Sequence, residues 1–243
     1  MQKNRKKKGR VSPVLVVILL IVILAVAGVV SFLVQRYTPS RNQMDQKAYF
    51  QLTDDTEAAL VLNGCVSEEK GLMIQGEVYV SADFVSRELN SGFYWDQESQ
   101  AILLTTPSGV MKIAPGDTTY STAGGQAAVQ TGADGAIYIA LELVKQYTDM
   151  DYAFYTEPNR AVMRTDWNGL RQVEVTAEQT DVRYRGGIKS DILTEAVQGE
   201  ILYFLETLDN WVQVETADGY IGCVEKEDVS DEQAAPVHVT DAS

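Results

Sequence analysis

Apolar residues follow three patterns along this chain. From Val14 to Val34 they run without a charge, and about 21 residues at 1.5 Å rise give roughly 31 Å of helix, the thickness of a bilayer's hydrocarbon core. This predicts one transmembrane helix over 14–34. From Ala58 to Asp166, short alternating runs are interleaved with helical spacing, and from Val173 to Val229 only short alternating runs remain. Gln35 to Glu57 is polar, contains Pro39, Ser40 and Asn42, and holds no sustained apolar period, which predicts a linker over 35–57.

Within the second pattern, ALVLNG is a strand closing on the turn dipeptide Asn63-Gly64, and GEVYV is an alternating strand from Gly76. Ser81 can cap the segment ADFVSRELN, where Phe84, Val85, Glu88 and Leu89 have helical spacing. FYWDQESQAILLTT then reads as a hairpin turning at Asp96 to Ser99. The same order returns 59 residues later, from Gly135 to Asp166. Gly76 matches Gly135, Tyr79 matches Tyr138, Val85 matches Val144, Phe93 matches Tyr152, Trp95 matches Phe154 and Glu98 matches Glu157. An internal duplication burying a shared α+β core is the expectation, with Thr118 to Gly135 as an exposed loop between the copies. In the third pattern, Gly186-Gly187, Gln198-Gly199, Asp209-Asn210 and Asp218-Gly219 separate short strands of a small barrel or sandwich. Residues 231–243 are expected to be a disordered tail.

Charge sets the compartment. Lys3, Arg5, Lys6, Lys7, Lys8 and Arg10 precede the apolar run and place residues 1–13 in the cytoplasm as a basic tail, with the C-terminal domains extracytoplasmic. The rival is a cleaved signal peptide, because Ala25-Val26-Ala27 has the small-x-small form of a cleavage site. The whole chain has 20 Lys+Arg against 34 Asp+Glu, and six of the basic residues sit in the first ten, so the external part is strongly acidic. Such a surface excludes nucleic acid as a partner and repels polyanionic wall polymers unless a divalent cation bridges them. Cys65 and Cys223 fall in separate predicted domains without metal-site spacing, and are expected as two isolated buried thiols.

The stretch 58–166 resembles the copper amine oxidase N-terminal domain, whose units run from a VPLR-like strand through a helix to a strand ending in Trp-Asp. Here VSAD, Val80 to Asp83, stands in place of VPLR, and Phe154-Tyr155 replaces Trp-Asp in the second unit. The resemblance implies a non-catalytic, stalk-like domain. Amine oxidation is excluded independently: the copper site of such enzymes needs three histidines, and His238 is the only one in the chain. No cofactor and no metal ligand set are expected.

The stretch 170–230 is similar to a bacterial SH3 domain, through Asp181-Val182-Arg183, Gln198-Gly199-Glu200, Asn210-Trp211-Val212-Gln213-Val214 and the run Asp218 to Val224. Cys223 stands where the pattern has a second tryptophan. The resemblance implies binding to peptidoglycan or another cell-wall polymer. Aromatic and arginine side chains beside polar loops, Tyr184, Arg185, Tyr203, Trp211 and Tyr220, are the candidate ligand contacts. For Trp211 and Tyr203, barrel core is the competing role.

No catalytic constellation accompanies them. Asp149, Asp151 and Glu157 bring to mind the acidic strand of family-18 glycosidases, but Ala153 occupies the position that needs an acid. The order of parts resembles the N-terminal half of clostridial membrane-anchored family-18 glycosidases, and Ser243 falls where a hydrolase domain would begin. The expected fold is an α+β duplicated stalk-like domain followed by a small all-β SH3-like barrel, with one N-terminal transmembrane helix. The expected function is a membrane-anchored wall-binding protein without its own catalysis. The alternatives are the non-catalytic front of a truncated or split glycosidase, and a structural spacer with an envelope protein partner.

Overall fold

A computed structural model of the chain describes residues 13–236. The basic residues 1–12 and residues 237–243, with His238, lie outside the described residues. The chain divides into two compact units, Met1–Ser40 and Arg41–Ser243.

The first unit holds α1 (Pro13–Tyr37), 25 residues with no buried side chain. Proline opens it where its missing N–H has no intrahelical acceptor to lose. It is one apolar helix near the N-terminus, of the kind that anchors a protein in a membrane or serves as a signal sequence. It runs three residues past Val34, taking Gln35 to Tyr37 from the expected linker.

In the second unit the remainder of that linker is a docked strap. Met44 donates from its backbone N to Ile192 O, Ile192 N donates to Asn42 O, both at 2.8 Å, and Asp45 caps the single turn α2 (Gln46–Tyr49) by accepting from Ala48 N. Phe50 is fully buried against Ala59, Val61, Leu193 and Tyr220. Removing so large an aromatic side chain from water contributes roughly 2–3 kcal/mol. The polar texture concealed this because a single buried phenylalanine gives no period.

Next come β1 (Glu57–Leu62), β2 (Cys65–Ile74) and β3 (Glu77–Ser81). The β1–β2 turn is Asn63-Gly64, with φ of 48° and 79°, the left-handed pair that a two-residue hairpin requires. Ser81 Oγ accepts from Phe84 N and starts α3 (Ala82–Phe84), which continues as a π-helical turn, Val85–Leu89. The strands β4 (Phe93–Asp96), β5 (Ala101–Thr106) and β6 (Gly109–Ile113) form a three-stranded sheet of their own. Then follow β7 (Val129–Thr131), β8 (Ile137–Ala140), α4 (Leu141–Gln146), β9 (Asp151–Tyr155) and β10 (Arg160–Arg164). The main sheet has the order β7-β8-β3-β2-β1-β10-β9, with β1 and β10 parallel.

The duplication is visible as a local two-fold axis. The repeated strands β3 and β8 pair antiparallel, with Val80 opposite Ile139, Tyr79 opposite Ala140 and Ser81 opposite Tyr138. Val80 and Ile139 are themselves repeat equivalents, so the axis passes between them, and Phe84, Val85, Leu141 and Val144 close one core around it. The loop expected at 118–135 is only partly a loop. Its residues Ala127, Ala128 and Val129 are buried, the Tyr79 hydroxyl donates to Ala127 O and β7 extends the sheet along β8, whereas Ala123 and Ala133 face solvent.

The C-terminal region contains β11 (Arg171–Glu174), β12 (Gln179–Arg183), β13 (Ile192–Val197), β14 (Ile201–Leu208), β15 (Trp211–Glu215), β16 (Ile221–Glu225), a 3-10 turn at Lys226–Asp228 and β17 (Gln233–Ala234). They form one curled antiparallel sheet, β13-β12-β16-β15-β14-β11-β17, irregular in register after Val182 and Phe204. Val173, Val182, Leu202, Val212, Val214 and Val224 make its core. Among the described residues β13 and β17 do not pair with each other, so the expected SH3-like barrel is seen here as a curled sheet without that closing ladder. The expected tail is ordered as far as β17, which pairs with β11 while Glu232 pairs with Arg171.

Both cysteines are free, but Cys65 is exposed rather than buried, because it begins β2 directly after the turn.

Candidate functional site

The five candidate side chains are divided by the fold. Tyr184 and Arg185 leave the end of β12 on an exposed loop. Tyr184 N donates to Asp191 O, Arg185 N to Ser190 Oγ and Ser190 N to Gly187 O, so the loop is shaped by its own backbone. The Arg185 guanidinium lies 5.2 Å from the centre of the Tyr184 ring. Below it, the buried Arg183 donates to Ser190 O and pairs with Asp181. Trp211, half-buried at the start of β15, packs beneath Gly186: a Cβ there would stand 3.1 Å from the indole Cγ, so the loop can lie this close only without a side chain. Cys223 is buried, and burial pushes its thiol up, opposed by a hydrogen bond from Gly186.

Tyr220 is not available to a ligand. It is 2% exposed and packs on Phe50, with ring centres 5.2 Å apart, and on Tyr49. The Asp218-Gly219 turn before it presses against the first sheet, where a Cβ on Gly219 would meet Val162 at 2.6 Å. Tyr203 is separated from Tyr184 and joins a cleft between the two sheets, 4.3 Å below the Arg164 guanidinium. Tyr184, Arg185 and Trp211 therefore remain together, while Tyr203 and Tyr220 belong elsewhere.

Tyr49 is a member of the first group that sequence reading missed. Its ring meets Tyr184 edge-on at 6.0 Å. Its hydroxyl accepts from Ile221 N at 2.9 Å and donates to Ile221 O at 3.1 Å. Burial pushes its pKa up to about 12, so it is a neutral phenol at any ordinary pH. The adjacent aromatics Tyr49 and Phe50 in a polar segment were the available signal.

Arg160 and Arg164 were also missed. Both project from β10 toward the C-terminal sheet. Arg160 is paired with Asp218 at 2.7 Å, donates to Pro158 O, and has the rings of Tyr220, Tyr155 and Phe50 within 4.9, 5.1 and 5.6 Å. Arg164 is paired with the fully buried Glu215. Burial outweighs that arginine and raises the Glu215 carboxyl above its ordinary range. Among the described residues no group of three or more His, Cys, Asp or Glu side chains is arranged to hold a metal.

Residues 61–162 match the family model described as the copper amine oxidase N-terminal domain. That match covers less than half of the chain and lies inside the stretch whose motifs resemble the family. The domain is stalk-like and found in non-catalytic parts of proteins. No curated protein and no solved structure matches the chain.

Proposed function

We propose that this chain is a membrane-tethered, extracytoplasmic binding protein that holds peptidoglycan, or a similar wall polymer, on the surface formed by Tyr184, Arg185 and Trp211. The observation that carries the reading is the stacked, exposed Tyr184–Arg185 pair on a self-shaped loop over Trp211, in a stretch whose motifs resemble bacterial SH3 domains. A flat aromatic face and a guanidinium with unspent donors fit amide-rich and hydroxyl-rich polymers, and the loop's own hydrogen bonds lower the ordering cost of binding. The duplicated domain supplies distance from the membrane and no catalysis of its own. The apolar helix acts as a single-pass anchor with the basic flank inside.

The test is sedimentation of the full chain, in detergent, with purified sacculi. Saturable co-sedimentation that resists a chelator is the expected result. Binding that vanishes with the chelator assigns the contact to a cation bridge between acidic surfaces, and absence of binding removes the wall reading in favour of the spacer.

A further inference from the structure

A separate, concave site lies where β9 and β10 face β14 and β15. It is a cleft of about 270 Å³ lined by Tyr152, Arg164, Trp167, Tyr203 and Glu215, with Asp151 at its edge. Trp167 and Tyr203 line it together with an ion pair on the wall, whereas the Tyr152 ring turns to the other face of the sheet, against the main core and Lys145. The Glu215 side chain is 1% exposed, and its Oε1 has no hydrogen-bond partner, while Oε2 takes Arg164. An unspent carboxylate oxygen in a buried position is a costly acceptor that gains from any donor brought to it. Arg164, 12% exposed, has Glu215 as its one hydrogen-bond partner among the described residues, leaving further N–H donors around the guanidinium fork.

The chemistry of the lining restricts the occupant. A carboxylate ligand would satisfy Arg164 but meet the charge of Glu215 and Asp151, and an amine would satisfy Glu215 but meet Arg164. A neutral ligand with both donors and acceptors avoids both penalties. Donor and acceptor also stand side by side, because Arg164 and Glu215 are ion-paired. Hydroxyls on neighbouring carbons match that spacing, whereas the N–H and C=O of a trans peptide group point in opposite directions. The C–H face of a sugar ring supplies the apolar area that Trp167 and Tyr203 offer.

We propose that this cleft binds one ring of a neutral saccharide, stacked against Trp167 and Tyr203, with one hydroxyl donating to Glu215 and its neighbour accepting from Arg164. The inference rests on the cleft and borrows from the wall-binding reading only the choice of an amino-sugar oligomer as one probe. The full chain in detergent is titrated with chitotetraose, cellotetraose and tetra-alanine amide, by calorimetry and by tryptophan fluorescence. At least one of the oligosaccharides should bind saturably, and Trp167→Ala and Glu215→Gln should each weaken it at least tenfold; Trp167 is half-buried, so its variant reports even where Glu215→Gln fails to fold. Failure of both oligosaccharides to bind, wild-type affinity in Trp167→Ala, or displacement of the sugar by the peptide probe overturns the proposal. A chain that sediments with sacculi yet takes up neither oligosaccharide loses the cleft site and keeps the wall reading, and one that binds the oligosaccharide but not sacculi does the reverse.

Discussion

Arg160 and Arg185 each lie against tyrosine, at 4.9 Å from the Tyr220 ring and 5.2 Å from the Tyr184 ring, yet the two clusters have opposite surroundings. Arg160 is 5% exposed, is paired with Asp218 and donates to backbone carbonyls, so its donors are used within the fold. Arg185 is exposed and has no carboxylate ion pair among the described residues. The same pair of residue types is a staple where it is buried with a counter-ion, and the proposed binding surface where it is not. The staple also explains why the second repeat departs from the first: β9 and β10 are bound into the main sheet beside the C-terminal region, whereas their equivalents β4 and β5 remain in a separate sheet.

The largest expected effect lies at the centre of the staple. Phe50→Ala should cost about 3–5 kcal/mol, because it opens a void beneath Tyr220 and Arg160 at a site with no exposed edge. Chemical denaturation of the full chain in detergent measures it, and a loss below about 1 kcal/mol would show that the strap is not docked. Arg160→Ala against Arg185→Ala is the sharpest form of the comparison. The first should lose roughly 3 kcal/mol by stranding Asp218 and the Thr156 and Pro158 carbonyls, and the second should stay within about 0.5 kcal/mol of the wild type. Equal losses would erase the distinction.

Much of the fold was legible because its signals are local. Asn63-Gly64 fixes a hairpin, Ser81 caps a helix, and the 59-residue recurrence of Gly76, Tyr79 and Val85 marks a duplication that the Val80 and Ile139 pairing displays as symmetry. What escaped was contact between distant segments. Tyr49 and Phe50 dock 170 residues ahead of their partners Tyr220 and Ile221, and no periodicity encodes that. In sequence Tyr220 looks equivalent to Tyr184, because both sit beside glycine-bearing turns. Only the strap and the first sheet, arriving over the Asp218-Gly219 turn, separate them.

A smaller effect distinguishes the cleft's ion pair from the staple's. Burial holds the Glu215 carboxyl above its ordinary value of 4.5, so the folded state binds this proton more tightly than the unfolded state does. Its contribution to stability is complete below pH 4.5 and is lost as pH rises through the raised value. Glu215→Gln, neutral throughout, should therefore gain on the wild type in thermal midpoint as pH rises through that window. Parallel midpoint curves for the two proteins would contradict it.

The most direct measurement compares sacculus affinity with stability in one double variant. Tyr184→Ala with Arg185→Ala should lower the affinity of the full chain for purified sacculi at least tenfold while the thermal midpoint stays that of the wild type. Undiminished binding in the double variant would contradict the assignment of this surface, as would a collapse of the fold that makes Tyr184 and Arg185 part of the core.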